Sequence, residues 1–332
     1  MRIINRLTSV AFLLAFVVVV LGAYVRLSDA GLGCPDWPGC YGKVLVPQSE
    51  QAVAVANEAY PERPVDVPKA WKEMAHRYLA SVLGLVIIAI AACAWRARAS
   101  GFRSTLPYWL VAIVIFQGML GMWTVTLLVK PVIVLMHLFG GLTTLSLLLW
   151  LYLGTREKAV PAFPRRFQHA AAIGLVVLAA QIFLGGWTST NYAALSCPDF
   201  PTCQTKWWPK MDFHDAFTMW RGLGVDYEGG VLSNASRVAI HVSHRIGALI
   251  TTVALLCVAI VGWKSGGQSG AARAATALLA LLCVQVGLGI GNVVFSLPLS
   301  VATAHNAVAA ALVLLLVLII HRREPHETAY RP

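Results

Sequence analysis

The sequence predicts an all-α integral membrane protein: eight transmembrane helices arranged as two pseudo-symmetric four-helix bundles. Three observations predict it: where the apolar residues gather, where the basic residues sit, and an ordered internal repeat. The chain has 332 residues, 58% hydrophobic and only 12% charged, whereas soluble domains carry about 25% charged residues. Length alone would suggest about two domains. The apolar excess falls into eight runs, at about 8–25, 75–95, 106–128, 132–154, 170–189, 238–262, 272–295 and 300–320. Each is close to the roughly 20 residues that cross a hydrocarbon core. Lipid cannot satisfy open backbone groups, so each run is expected to be a helix. The alternating segments of about 10 residues that mark a barrel are absent from the sequence.

The net charge of +11 does not point to nucleic acid. Arg2 and Arg6 precede the first run, and Arg96, Arg98 and Arg103 separate the second from the third. Arg156, Lys158, Arg165 and Arg166 separate the fourth from the fifth, Lys264 and Arg273 the sixth from the seventh, and Arg322 and Arg323 follow the eighth. The short loops on the other side hold Lys130 and little else. By the positive-inside bias both termini are cytoplasmic, and the long loops 26–74 and 190–237 face outward. A bacterial inner membrane is the simplest location. The first run also has the form of a signal peptide, with Leu21-Gly22-Ala23 as a weak cleavage site. The repeat makes it the first helix instead.

Run one leads from Leu21-Gly22-Ala23-Tyr24 to Cys34-Pro35-Asp36-Trp37-Pro38-Gly39-Cys40. Run five leads from Leu184-Gly185-Gly186-Trp187 to Cys197-Pro198-Asp199-Phe200-Pro201-Thr202-Cys203, an offset of 163. His76 then pairs with His244, Gln117 with Gln285 and His137 with His305, all at an offset of 168. The five additional residues must enter the second long loop. The order of these matches marks a duplicated four-helix unit, with halves 1–160 and 161–332 related by an axis along the membrane normal. Gly118, Gly121, Gly140, Gly141, Gly287, Gly289 and Gly291 are expected to allow close helix contact. In the loops, 48–60 reads as a short helix and 213–223 as an amphipathic helix on the membrane surface. Trp207 and Trp208 suit the aromatic belt.

His76, His137, His244 and His305 lie near the starts of the even-numbered runs, one or two turns below the outer surface. Ionisable groups at that depth are costly and usually functional. Zinc prefers three or four protein ligands, and a di-iron site would need carboxylates that the apolar runs lack. Two imidazoles from facing helices suit the axial positions of a heme, which allows one heme per half. Arg77 and Arg245 follow the histidines at the rim, where they are candidates for binding propionates; interfacial snorkelling is the plainer reading. Glu73 stands one turn before His76 on the same face. It is a candidate to stabilise developing positive charge or to move protons; a carboxylate near a helix N-terminus is the structural alternative. The second half has His241 at that place, so one site is read as reactive and the other as supporting.

Each Cys-Pro-Asp-x-Pro-x-Cys loop is expected to close a disulfide, Cys34–Cys40 and Cys197–Cys203, on an oxidising side. A pinned loop end and a redox or handover role both remain open, and metal binding fits the spacing poorly. Cys93, Cys257 and Cys283 are expected in buried apolar packing. His169, His214, His321 and His326 receive no role.

Glu73-Met74-Ala75-His76-Arg77, His137-Leu138-Phe139-Gly140-Gly141, His244-Arg245 and Ala304-His305-Asn306 together resemble the heme A synthase family. Gly22-Ala23-Tyr24-Val25-Arg26-Leu27 and the run 31–38 add to the resemblance, which spans nearly the whole chain. It implies an enzyme that oxidises a methyl group of heme O to a formyl, giving heme A for terminal oxidases. It implies that His76 and His137 bind the substrate heme, that Glu73 assists the oxidation, and that His244 and His305 hold a resident heme b. Implied partners are heme O, the farnesyltransferase that makes it (heme O synthase) and the lipid bilayer; a homo-oligomer is compatible and nucleic acid is not expected. The alternative is a diheme b-type membrane cytochrome taking electrons from quinol. A transporter with histidine relays would need no iron, and a heme carrier would bind heme O without yielding heme A.

Overall fold

The structure is a computed structural model that describes residues 2–156, 163–265 and 269–321. The boundary expected at 160/161 lies outside the described residues, as do Lys158, Arg322, Arg323 and His326. Eight helices are long and apolar enough to cross a membrane: α1 (Arg2–Leu27), α3 (Val67–Ala97), α4 (Leu106–Thr126), α5 (Pro131–Thr155), α6 (Arg165–Thr190), α8 (Asn234–Lys264), α9 (Ser269–Val294) and α10 (Leu299–Ile320). Two shorter helices, α2 (Glu50–Ala59) and α7 (Phe213–Ala216), lie in the long loops. Among the described residues there is no strand, only isolated bridges Cys40–Lys43 and Cys203–Lys206.

Local chemistry sets the helix starts. Asp66 accepts from the Lys69 amide at α3 and Ser233 from the Ser236 amide at α8, each satisfying a donor that the first turn leaves open. Proline opens α3, α4 and α5, where its missing N–H costs nothing. The helices then pack in two rings. In the first, neighbours run α1–α3–α4–α5 and back to α1; in the second, α6–α8–α9–α10 and back to α6. The rings meet through α1 with α10, α5 with α10, and α5 with α6.

Each ring is filled at the end away from the long loops. Ile4, Ala11, Ile87, Ile90, Leu110, Leu145 and Leu148 close the first, and Phe167, Leu178, Leu255, Leu278, Leu312 and Leu316 the second. Lipid tails are as apolar as these side chains, so close fit holds them together. Phe167 packs so tightly on Gly262 that an added Cβ would come within 2.8 Å of its ring. Of the glycines expected at contacts, Gly118 and Gly287 have open space around them. Cys93 is half-buried beside the first core, but Cys257 and Cys283 are exposed. They sit on outward faces of α8 and α9, where a small apolar thiol suits lipid as well as protein.

The long loops are unequal. Loop one packs Cys34, Cys40, Tyr41 and α2 onto Ala70 and Met74 of α3. Loop two does not stay over its own bundle. Tyr227 and Val225 pack with Leu32, Val125 and Val129, and Arg63 pairs with Asp226 (2.6 Å) and Glu228. Lys130, buried between α4 and α5, lies 3.3 Å above the Trp220 ring and donates to the Gly222 carbonyl. The expected helix 213–223 ends at Ala216. Beyond it, Arg221 bends back to the Asp215 carboxylate and carbonyl, both at 2.6 Å, and Gly222 and Gly224 take positive φ. Loop two thus straps the first bundle.

Lys130→Ala should release this strap while leaving the eight helices in place. Losing the cation–π contact and the hydrogen bond removes about 1–2 kcal/mol of local stability. Limited proteolysis within 217–230 should therefore quicken by about 5- to 30-fold.

Candidate functional site

His76 on α3 and His137 on α5 come from opposite corners of the first ring and meet across its interior. Their ring centroids are 6.4 Å apart and nearly perpendicular, at 83°. Glycine makes room for them from the other two corners. A Cβ at Gly22 of α1 would lie 2.9 Å from His76 Cε1, and one at Gly121 of α4 would lie 3.6 Å from His137 Cε1. The second ring repeats the arrangement with His244 on α8 and His305 on α10. A Cβ at Gly185 would lie 3.0 Å from His244 Cε1, and one at Gly289 would lie 3.1 Å from His305 Cε1. Gly289 therefore makes room for its histidine, Gly121 meets His137 only at ordinary contact distance, and Gly140 seats the side chain of Gln117.

The spacing of the first pair matches two imidazoles on one heme iron. Two imidazoles bound end-on to one metal place their centroids roughly 6 Å apart, because each metal–nitrogen bond is about 2 Å. Nδ1 of His76, His137 and His305 is buried without a hydrogen-bond partner. Among the described residues no group of three or more His, Cys, Asp or Glu side chains could hold a bare metal ion. Two imidazoles can hold a metal whose other ligands come from a porphyrin.

One turn toward the loops, each bundle has a latch. In the first, Glu73 is 5% exposed. Its Oε2 accepts from the Cys34 amide at 2.9 Å, and its Oε1 accepts from Arg77 Nη2 at 2.5 Å. In the second, His241 Nδ1 accepts from the Cys197 amide at 3.4 Å. Arg77 Nη1 donates to the carbonyls of Asp36 (3.0 Å) and Gly39 (2.5 Å). Arg245 donates to the carbonyls of Cys197 (3.0 Å), Asp199 (2.8 Å) and Thr202 (2.7 Å). The guanidinium groups that sequence reasoning sends to propionates are largely taken up by the loops, though Arg245 Nε is buried without a partner.

Both loops are closed by disulfides, Cys34–Cys40 and Cys197–Cys203. Asp36 receives the amides of Tyr41 (2.6 Å) and Gly42 (2.8 Å), and Asp199 those of Gln204 (2.6 Å) and Thr205 (3.0 Å). The Thr202 hydroxyl first, and these amides after it, hold the Asp199 carboxyl below the usual carboxylate range. In loop one, burial and then nearby carboxylates push the Tyr41 hydroxyl up to about 12. It donates to the Arg63 carbonyl at 3.1 Å.

Sequence reasoning missed Gln181, whose amide lies 3.0 Å from His244 Nδ1. The available signal was a lone amide in an apolar run, aligned with Val18 in the first half. Gln285 Nε2 is 3.3 Å from His305 Nε2. His169 is exposed at the start of α6, His214 lies in α7, and His321 packs edge-on to Trp150 at 4.7 Å.

The family described as cytochrome oxidase assembly protein matches residues 5–317. The chain is 43% identical to a Shewanella oneidensis protein named heme A synthase, over 94% of each chain. It is 29% identical to a protein of that name from Rhizorhabdus wittichii, over 90% of this chain and 88% of the relative. It is also 26% identical to one from Methylobacterium radiotolerans, over 93% and 86%.

Two outcomes follow from this geometry. Gly22→Ala should displace the His76 ring and weaken heme binding between His76 and His137, whereas Gly121→Ala should be tolerated, since its Cβ would meet His137 at an ordinary contact distance; absorbance of heme-loaded protein checks both. Second, the depressed Asp199 carboxyl stabilises its loop above the ordinary carboxylate pKa of about 3.9. That stability is lost as pH falls through the depressed value. Protection of the Gln204 and Thr205 amides, taken relative to intrinsic exchange, should fall as pH drops through that depressed value, and Asp199→Asn should remove this pH-dependent loss.

Proposed function

The chain belongs to the heme A synthase family of cytochrome oxidase assembly proteins, and we propose that it makes heme A by oxidising a methyl group of heme O to a formyl. It is an enzyme of heme A biosynthesis in a multi-pass membrane setting. In our reading His76 and His137 bind the substrate heme O, and His244 and His305 hold heme b. Heme b, when bound, supplies one-electron redox chemistry. The distribution of basic residues supports a bacterial inner membrane, with the termini in the cytoplasm and the disulfide loops outside. The substrate's source is the farnesyltransferase that makes heme O.

The observation that carries the assignment is the difference between the two latches. His241 fastens its loop through one ring nitrogen, so the latch itself does not require an acid. Glu73 does the same fastening with one oxygen and has a second oxygen, bound to Arg77, one turn from His76. Converting a methyl to a formyl with one water releases four protons and passes four electrons to an external electron acceptor. In this reading Glu73 stabilises positive charge developing at the substrate carbon or takes one of those protons. Arg77 orients the Glu73 carboxyl through their 2.5 Å ion pair. Arg245 Nε is a spare donor for an anionic heme group in the second bundle.

Heme extraction and chromatography test this reading. Protein made alone should carry heme b; made with a heme O source, it should also carry heme O and heme A. Two b hemes per chain under both conditions would favour the diheme cytochrome. Glu73→Gln should keep substrate heme bound while heme A yield falls by about 100-fold or more; full yield would remove Glu73 from the chemistry.

A further inference from the structure

Arg237 is a cation that neither disulfide loop takes up. It is half-buried in the first turn of α8, and its Nε is buried without a hydrogen-bond partner. Among the described residues no carboxylate pairs with it. It precedes His244 by seven residues, close to two full turns, so the two side chains leave the helix along one line. That line continues through Thr251, which is buried, to Val258 of the second core. Arg237 therefore stands on the face of α8 that turns into the second ring, about 10 Å from His244 toward the loops. The first half repeats the line as Lys69, His76, Leu83 and Ile90, the last two in the first core. Each histidine pair thus has a cation two turns above it. Arg245, by contrast, lies about 100° around the helix from His244. It gives its guanidinium to the carbonyls of Cys197, Asp199 and Thr202, leaving Nε.

We propose that Arg237 binds the carboxylate edge of the heme held by His244 and His305. The inference rests on the reading that this pair holds a heme. A heme carries both propionates on one edge. With its iron at His244 and that edge toward the loops, its carboxylates come to the level of Arg237. Nε and one Nη of a guanidinium point the same way and match the two oxygens of a carboxylate. The carboxylate satisfies the buried Nε, which otherwise bears the cost of an unmade hydrogen bond. It also fixes the rotation of the heme about the axis through the two histidines, which axial ligation alone leaves free.

The test uses the full-length purified protein carrying His76→Ala, which leaves one histidine pair intact. It is loaded in turn with heme b and with heme b dimethyl ester, which has the same ring but no carboxylates. Transfer to excess apomyoglobin gives the release rate of each. Heme b should leave about 10- to 100-fold more slowly than the ester, the range for a hydrogen-bonded charged pair. Arg237→Gln should remove most of that difference by speeding release of heme b alone, and Arg237→Lys should retain part of it. An Arg237→Gln effect equal for both hemes, or absent for both, would overturn the proposal, because packing does not distinguish the acid from the ester. If that variant does not fold, equal release of acid and ester from the parent protein overturns it. Heme binding that survives His244→Ala in the same protein would reject the underlying assignment of the heme instead.

Discussion

Two imidazoles must meet inside each helix ring, and the structure around them follows from that requirement. Opposite corners of a ring can bring side chains together only if the other two corners stay narrow. Gly22 and Gly185 supply that narrowness on α1 and α6, and Gly289 on α9, while at Gly121 of α4 a Cβ would make only ordinary contact. The aliphatic core is displaced toward the far end of each bundle, where Ile, Leu and Ala fill the ring. Each bundle therefore has a packed end and an end that holds the histidine pair. Helices whose backbone bonds are satisfied internally tolerate such a core in lipid, because packing rather than burial from water holds them together.

The latch joins this interior to the loops. One side chain, a turn before the histidine, accepts the backbone N–H of the first cysteine, and the arginine a turn later gathers carbonyls from the same loop. The disulfide and the aspartate that receives two amides make the loop rigid enough to hold those carbonyls in place. This common frame makes the substitutions between halves informative. Glu73 against His241 changes the chemistry available beside one histidine pair without changing the frame. Duplication supplied two similar histidine pairs, and a few side chains beside them differ.

The strap adds an asymmetry that duplication does not explain. Loop two crosses to the first bundle, where Lys130, Trp220, Tyr227 and the Arg63 ion pairs hold it. The first bundle is thus covered by parts of both loops, and the second by the Cys197–Cys203 loop and α7. Arg26 reinforces the junction, donating to the Ser189 carbonyl at 2.6 Å and lying 4.4 Å above the Tyr192 ring.

The eight spans, the duplication, the loop cysteines and the four histidines were legible in the sequence itself. Apolar run length is set by bilayer thickness, and constant offsets survive because both halves keep the same helix geometry. The close pairing of His76 with His137 was implied by equal spacing but required coordinates to become a distance. The partners of Arg77 and Arg245, the seat of Gln181 on Gly247 and the path of the strap were decided by tertiary structure alone. Each depends on which side chains meet across tens or hundreds of residues, and local pattern carries no record of that. The same holds for Cys257 and Cys283: periodicity identifies a helix, but in a membrane both of its faces are apolar, so only packing separates the face toward protein from the face toward lipid.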